Sequence, residues 1–179
     1  MIQYDKLAEE LIIRLEQGKN PNNYYVGNLS SVQESFDVIC LKPSNSEALY
    51  SKEVYQVKSG TYCDDDNISK SHVVNADFEK LQKENVKFLF LVVYNVPTVE
   101  DEGLPIIFRI PVSSLKNKER KKGEKVVEKK ENQCEIYYNG HTLTYTTFFK
   151  KDIFQVLEGA GYVYFNRIKP ITCDHLMDK

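Results

Sequence analysis

The apolar stretch at residues 87–95, KFLFLVVYN, is the feature that most constrains the fold of this chain. It lacks the alternation of apolar and polar side chains that is typical of a strand with one face in water. A continuous apolar run of this length predicts a strand that is buried on both faces. Strands of this kind are typical of α/β proteins, in which helices cover the sheet.

The segments around this strand predict an α/β domain with a mixed central sheet flanked by helices. Residues 1–18 form a predicted amphipathic helix, whose apolar face carries Leu7, Ala8, Leu11, Ile12 and Leu15. The remaining elements are predicted in chain order: a short strand or an exposed loop at 22–31, strands at 36–42 and 52–58, a helix near 73–84, a strand at 105–112, a hairpin turning at Asn139-Gly140, a short helix around 150–158 and a final strand at 162–168.

Length and composition indicate an ordinary globular protein. The chain has 179 residues, of which 41% are hydrophobic and 28% charged, as expected for a single domain. No apolar run approaches the ~20 residues that a membrane-spanning helix needs, and the acidic residues of the first helix argue against a signal peptide. The four cysteines form no C-x-x-C pair, so reduced intracellular thiols and a cytoplasmic location are expected.

A basic stretch follows the predicted core. The net charge is −2, but residues 116–130 contain eight basic and three acidic side chains. Such a cluster can attract a phosphate backbone, although a solvated loop has the same composition. The sequence thus divides into a core at 1–114, a basic loop at 115–132 and a β-rich C-terminal extension of the same domain at 133–179. The candidate DNA contacts are Lys118, Arg120, Lys121, Lys122 and Lys125.

Three polar side chains interrupt the first predicted hairpin. Asp37 opens one strand, SFDVI, while Gln56 and Lys58 are two residues apart on the next, YQVKS. Because side chains alternate along a strand, Gln56 and Lys58 share a face, and pairing of the two strands would bring Asp37 to the same end of the sheet. Carboxylate and amide oxygens suit Mg²⁺, and a neighbouring lysine suits metal-assisted hydrolysis of a phosphodiester.

These residues resemble the motif of the PD-(D/E)xK nuclease superfamily, and the order of elements over about residues 3–112 resembles its restriction-endonuclease-like core. The resemblance implies that Asp37 binds Mg²⁺, that Gln56 occupies the Asp/Glu position and that Lys58 is the catalytic lysine. It also implies a metal-binding glutamate from the first helix. Glu9 fits best, and the other candidates are Glu10 and Glu16.

The chain departs from that motif at two positions. Phe36 replaces the proline, and Gln56 replaces a carboxylate, which removes one negative charge from the metal site. Metal binding would then depend more on Asp37 and a helix glutamate. Glu53 is a rival ligand, but strand alternation places it on the face opposite Gln56.

The resemblance implies a Mg²⁺-dependent DNA endonuclease that cuts double-stranded DNA, with a type II restriction enzyme as the leading hypothesis. One active site per chain then favours a homodimer. Two alternatives remain open at this level. One is a structure-specific nuclease, such as a Holliday junction resolvase or a homing or repair enzyme, and the other is a non-catalytic nucleic-acid-binding or protein-interaction domain with a degraded site.

Overall fold

The computed structural model describes residues 4–28, 36–45, 49–62, 74–97, 105–115, 133–140, 142–147, 155–156 and 161–164. The helices are α1 (Tyr4–Lys19) and α2 (Phe78–Lys83), and a 3₁₀ turn spans Val112–Ser114. The strands are β1 (Tyr25–Asn28), β2 (Val38–Pro43), β3 (Tyr50–Thr61), β4 (Val74–Asp77), β5 (Phe88–Tyr94), β6 (Ile106–Pro111), β7 (Gln133–Tyr138), β8 (Leu143–Thr147), β9 (Gln155–Val156) and β10 (Gly161–Tyr164). None of the described helices is long and apolar enough to cross a membrane.

The larger sheet is mixed and has six strands in the order β1-β2-β3-β5-β6-β10. Strands β3 and β5 are parallel, and the other neighbours are antiparallel. The apolar stretch forms β5, where Leu89 and Leu91 on one face and Val92 on the other have no exposed surface. The prediction of a strand buried on both faces is therefore confirmed, and with it the α/β class with a mixed sheet.

Two cores lie on the two faces of this sheet. On one face, Ala8 and Ile12 of α1 pack against Tyr55, Val57 and other residues of the sheet. We call this the α1 face. On the opposite face, Val54 and Leu89 pack with residues of α2 and of the smaller sheet, whose strand order is β4-β7-β8-β9. Strand alternation places Gln56 and Lys58 on this second face.

The amphipathic helix is confirmed, but its buried stripe is narrower than predicted. Ala8 and Ile12 are fully buried, whereas Leu7 is 48% exposed, so its assignment to the apolar face was wrong. The next member of the buried i, i+4 series is Glu16, only 6% exposed. The helix packs mainly against the β1–β3 part of the sheet, where Leu11 and Leu15 are partly buried against the same core, and Tyr4 also contacts Tyr94 of β5.

Two predicted helices are partly wrong. Residues 74–77 of the helix predicted near 73–84 form β4, which pairs with β7, and α2 begins only at Phe78. Asp77 caps α2, because its side chain accepts a hydrogen bond from the backbone N–H of Lys80. Within the helix predicted around 150–158, the described residues Gln155–Val156 are a strand paired with β8. In both places the partner strand overrides the local pattern.

The predicted hairpins are present. Strands β2 and β3 pair antiparallel, with β3 extending beyond the predicted 52–58 to Tyr50–Thr61. Strands β7 and β8 pair antiparallel, and Gly140, which follows β7 in the chain, has φ +91°. Strand β10 confirms the first part of the strand predicted at 162–168 and adds to the larger sheet beside β6. Cys40, on β2, is buried with a free thiol.

Candidate functional site

Asp37 lies where the antiparallel ladder of β2 and β3 ends. Its backbone N–H donates to the carbonyl of Tyr55 at 2.9 Å. Its carboxylate Oδ2 accepts from the backbone N–H of Val57 at 2.8 Å. The side chain thus supplies the acceptor for an amide that would otherwise be unpaired at the end of the ladder. Capping the ladder is a structural reason for an aspartate at this position.

Gln56, on the neighbouring strand β3, is hydrogen-bonded to the same Oδ2 atom of Asp37. Its Nε2 donates to Asp37 Oδ2 at 2.5 Å and makes a longer contact of 3.3 Å to the carbonyl of Val57. Only 7% of Gln56 is exposed. Asp37 Oδ1 accepts no hydrogen bond from any described residue, so one carboxylate oxygen is available at the edge of the ladder.

Lys58 lies two residues beyond Gln56 on the same face of β3 and is partly buried. Its charge acts on Asp37, because the ammonium group lowers the pKa of that carboxyl. The structure therefore brings Asp37, Gln56 and Lys58 to one end of the β2–β3 pair, in the arrangement expected from the sequence.

Of the three candidate glutamates on α1, only Glu9 lies near Asp37. Its side chain is hydrogen-bonded to that of Asn28 at the end of β1, and the charge of Asp37 raises its pKa. Glu10 is exposed. Glu16 lies towards the other end of the helix, where it interacts with Lys42 and other charged groups.

The two carboxyls resist ionisation. Burial raises the pKa of Asp37, and the Val57 N–H and the Lys58 ammonium oppose this shift without cancelling it. Burial also raises the pKa of Glu9, and repulsion from Asp37 adds to it. Both shifts favour the protonated form, so a cation held by these groups would bind more tightly as the pH rises through their pKa values.

Sequence reasoning missed three polar residues around this site, namely Asp5, Asn28 and Ser59. Asp5 precedes Glu9 by one helical turn, and the hydroxyl of Ser59, next to Lys58 in sequence, donates to Asp5 Oδ1. Asp5 also raises the pKa of Asp37. The i, i+4 spacing of Asp5 and Glu9 was a usable signal, since it places both carboxylates on one side of α1.

The polar groups of this site suit a hard cation that is held by only a few protein ligands. No group of three or more His, Cys, Asp and Glu side chains within the described ranges forms a metal-ligating cluster. The site instead combines two carboxylates, Asp37 and Glu9, with one amide. Gln56 presents its Nε2 to Asp37, so its oxygen could bind a cation only after the amide turns over. Mg²⁺ tolerates such a set because it keeps several of its water ligands.

Glu53 is occupied elsewhere. It accepts a hydrogen bond from the Tyr55 hydroxyl at 2.6 Å and pairs with the ammonium groups of Lys42 at 2.8 Å and Lys87 at 2.5 Å. Burial raises the pKa of Glu53, but the hydrogen bonds from Lys42, Lys87 and Tyr55 outweigh it and hold the pKa at about 2. This carboxylate belongs to an ion-pair network at the opposite end of β3 from Lys58.

Glu16 is a buried carboxyl away from the site. Burial raises its pKa above the ordinary value of 4.5, and the charges of Lys19, Lys42 and Arg109 only partly offset this. The native state therefore binds this proton more tightly than the unfolded state does. Its ionisation removes stability as the pH rises from about 4.5 through the native pKa.

We expect Glu16→Gln to raise the free energy of unfolding at neutral pH by about 1 kcal/mol, or ~2–4 °C in Tm, because the amide has no charge to bury. Thermal unfolding at about pH 4 and about pH 7 checks this, since the gain should be smaller at acid pH. Glu10→Gln, on the exposed side of α1, is the control. A loss of stability at neutral pH would show that the ion pairs of Glu16 outweigh its burial.

The five basic residues predicted to contact DNA, Lys118, Arg120, Lys121, Lys122 and Lys125, lie outside the described residues. No family model matches the sequence, and no curated protein or solved structure is significantly similar to it.

Proposed function

We propose that this chain is a Mg²⁺-dependent DNA endonuclease that hydrolyses phosphodiester bonds. One observation carries the proposal: Asp37 is subject at once to the attraction of Lys58 and to a hydrogen bond from Gln56, while its charge repels Glu9. Two carboxylates, an amide and an ammonium group at one sheet end are the components that metal-assisted phosphoryl transfer needs. A plain sheet end has no use for a carboxylate whose charge raises the pKa of a second carboxyl group beside it.

Asp37 Oδ1, the Glu9 carboxylate and the Gln56 amide oxygen would hold the cation. Bound there, Mg²⁺ would lower the pKa of a bound water and polarise a phosphoryl oxygen. The chain contributes the orientation of these ligands, because the Val57 N–H fixes Asp37 Oδ2 and Asn28 holds Glu9.

Lys58 is the catalytic residue in this proposal. An ammonium group beside the scissile phosphate can donate a hydrogen bond to the attacking water or to a phosphate oxygen, and it offsets the negative charge that develops during the reaction. Its partial burial strengthens these interactions relative to an exposed lysine. The hydrogen bond from Ser59 to Asp5 joins the residue after Lys58 to α1, the helix that carries Glu9.

Among nucleases, we favour a type II restriction endonuclease that acts on double-stranded DNA as a homodimer. The basic segment after the core would add affinity for the phosphate backbone without reading sequence. A structure-specific nuclease is the alternative. A fixed ladder of plasmid fragments would identify the restriction enzyme, and a preference for four-way junctions would identify the resolvase.

One observation favours a non-catalytic domain. Gln56 is almost fully buried and directs its N–H at Asp37, so the site is internally paired without a cation. A protein that has lost its activity would keep this hydrogen bond and the fold. It would bind DNA or another protein but would not cut.

We expect purified wild-type protein to nick supercoiled plasmid in Mg²⁺ and to lose all of this activity in excess chelator, because the carboxylate pair cannot activate water without a cation. Gel analysis of nicked and linear plasmid over time measures the rate. Ca²⁺ in place of Mg²⁺ is the control for cation binding, since Ca²⁺ accepts a looser geometry. Cleavage that persists in chelator would contradict a metal-dependent mechanism. DNA binding without cleavage in any divalent cation would support the non-catalytic domain.

A further inference from the structure

The segment between α1 and β1 contains a buried side-chain amide, that of Asn23. Among the described residues, neither its Nδ2 nor its Oδ1 has a hydrogen-bond partner, and neither atom is accessible to solvent. Within the described part of the chain, the Tyr94 hydroxyl is the other buried side-chain group in this condition. An unpaired buried donor or acceptor destabilises the folded state, so a native protein that retains both on one residue calls for an explanation.

Asn23 lines a cavity of about 270 Å³ together with two other amide residues, two tyrosines, Pro21 and Val26. The other amides are engaged, since Gln17 Nε2 donates to the carbonyl of Val26 at 3.2 Å and Asn20 Oδ1 accepts from the backbone N–H of Asn22 at 3.1 Å. Asn23 is the lining amide whose two polar atoms are both buried and unpaired. None of the lining residues that the structure describes is charged, which favours a neutral ligand.

The lining matches one class of neutral ligand. An asparagine amide offers a donor and an acceptor side by side, which is the complement of the N6 and N7 edge of adenine. Tyrosine rings stack on the faces of nucleobases. The cavity is smaller than the ~300–1,000 Å³ of sites for drug-sized molecules, so a single ring system suits it. We propose that this cavity binds one unpaired adenine of a DNA strand.

The cavity and the candidate site lie at the two ends of β1. Tyr25 begins the strand beside the cavity, and Asn28 ends it at its hydrogen bond to Glu9. Three residues of a strand span about 10 Å, so a base in the cavity would lie within a few nucleotides of a phosphate at the candidate site. The Tyr25 hydroxyl lies against Gly27, where any Cβ would clash, so this ring extends along β1 towards Asn28.

That the ligand is part of DNA rests on the proposed function. That the ligand must offer both a hydrogen-bond donor and an acceptor rests on Asn23 alone. Because water does not reach the amide, a lining group must turn aside for the base to enter. Tyr24 is 65% exposed and has room to do so. A base held here would be unstacked, which gives the nuclease a preference for adenine near the phosphate that it cuts.

Asn23→Leu tests the proposal, because leucine has nearly the same shape and needs no hydrogen bonds. Binding of short single-stranded oligonucleotides that contain one adenine or one thymine in a fixed context is measured by fluorescence anisotropy in chelator, without cleavage. We expect the wild type to bind the adenine oligonucleotide about 5- to 150-fold more tightly, as a bidentate base contact implies. In the variant this ratio should fall to about one, while its Tm should rise because the unpaired amide is gone.

Asn22→Leu is the matched control, since that side chain is exposed and does not line the cavity. It should leave the adenine ratio of the wild type unchanged. Equal affinity of the wild type for both oligonucleotides would overturn the proposal. A fall in Tm on Asn23→Leu would overturn it as well, because it would give the amide a structural role. An adenine preference in a chain that cuts no DNA would retain the base site and reject the nuclease.

Discussion

Asp37→Asn should reduce Mg²⁺-dependent nicking by a factor of about 10³ while leaving the fold intact. Both hydrogen bonds of the carboxylate, from Val57 N–H and Gln56 Nε2, go to the same oxygen, Oδ2. An asparagine carbonyl oxygen can accept both, so the end of the β2–β3 ladder stays paired. What the variant loses is the negative charge and Oδ1, which are the parts that a cation requires. Nicking rates and Tm measured side by side separate these effects.

Lys58→Met should lower the nicking rate by a factor of about 10²–10³ through a different step. Methionine keeps much of the apolar stem, and the cation ligands Asp37 and Glu9 are unchanged. Binding of Mg²⁺, followed by calorimetry or by the rise in Tm that it causes, should therefore persist. Removal of the ammonium group should also raise the pKa of Asp37, because its attraction no longer favours the carboxylate.

The two variants together separate cation binding from cleavage. Residues with a purely structural role would not produce this separation. Asp37→Asn should lose both cation binding and cleavage, and Lys58→Met should lose cleavage alone. Lys52→Met is the matched control, since Lys52 lies on the same strand and the same face, six residues before Lys58. It should cut at the wild-type rate. Full activity in either site variant would reject the site, whatever the fold.

The sequence predicted this arrangement because its determinants are local. Alternation along β3 places Gln56 and Lys58 on one face, and a hairpin between neighbouring strands brings Asp37 beside them. The buried strand β5 was equally clear, because a continuous apolar run needs no knowledge of its partners. These are the features that depend on periodicity within about ten residues.

The features that the sequence missed depend on distant partners. Strand β4 forms because it pairs with β7, about sixty residues later in the chain. Glu16 looks like a surface residue of α1, and it is buried because the helix rests on the sheet beside Lys42 and Arg109. The choice of Glu9 over Glu10 and Glu16 is likewise set by how α1 lies against Asn28 of β1. Periodicity supplied the candidates, and only the packing of α1 selected among them.

Gln56→Glu should destabilise the metal-free protein by about 2–3 kcal/mol at neutral pH, or roughly 4–12 °C in Tm. Gln56 is 7% exposed, and its Nε2 donates to Asp37 Oδ2 at 2.5 Å. Glutamate has no proton to donate when it is ionised, so the substitution replaces a hydrogen bond with the repulsion of two buried carboxylates. One of the two should then take up a proton, with its pKa strongly raised.

The loss of stability in Gln56→Glu depends on pH because the introduced carboxyl group can be protonated. A neutral carboxyl group can donate its O–H to Asp37 Oδ2 in place of the glutamine N–H. The native state of the variant thus binds a proton more tightly than the unfolded state, and its stability should fall as the pH rises through the raised pKa. Thermal unfolding of the variant and the wild type should therefore converge at acid pH. Ser51→Glu, an exposed position on β3, controls for the added charge and should show little change at either pH.

Mg²⁺ should reverse the destabilisation caused by Gln56→Glu. This result would show most directly whether the neutral amide of Gln56 limits cation binding at the site. Three carboxylates attract a divalent cation more strongly than two, so the Tm of the variant should rise further with Mg²⁺ than that of the wild type. A variant that is destabilised but gains nothing from Mg²⁺ would show that the cluster holds no cation. Wild-type stability in the variant without metal would instead contradict the contact between Gln56 and Asp37. Recovery by Mg²⁺ would identify Gln56 as a ligand position whose neutral amide weakens, but does not abolish, cation binding.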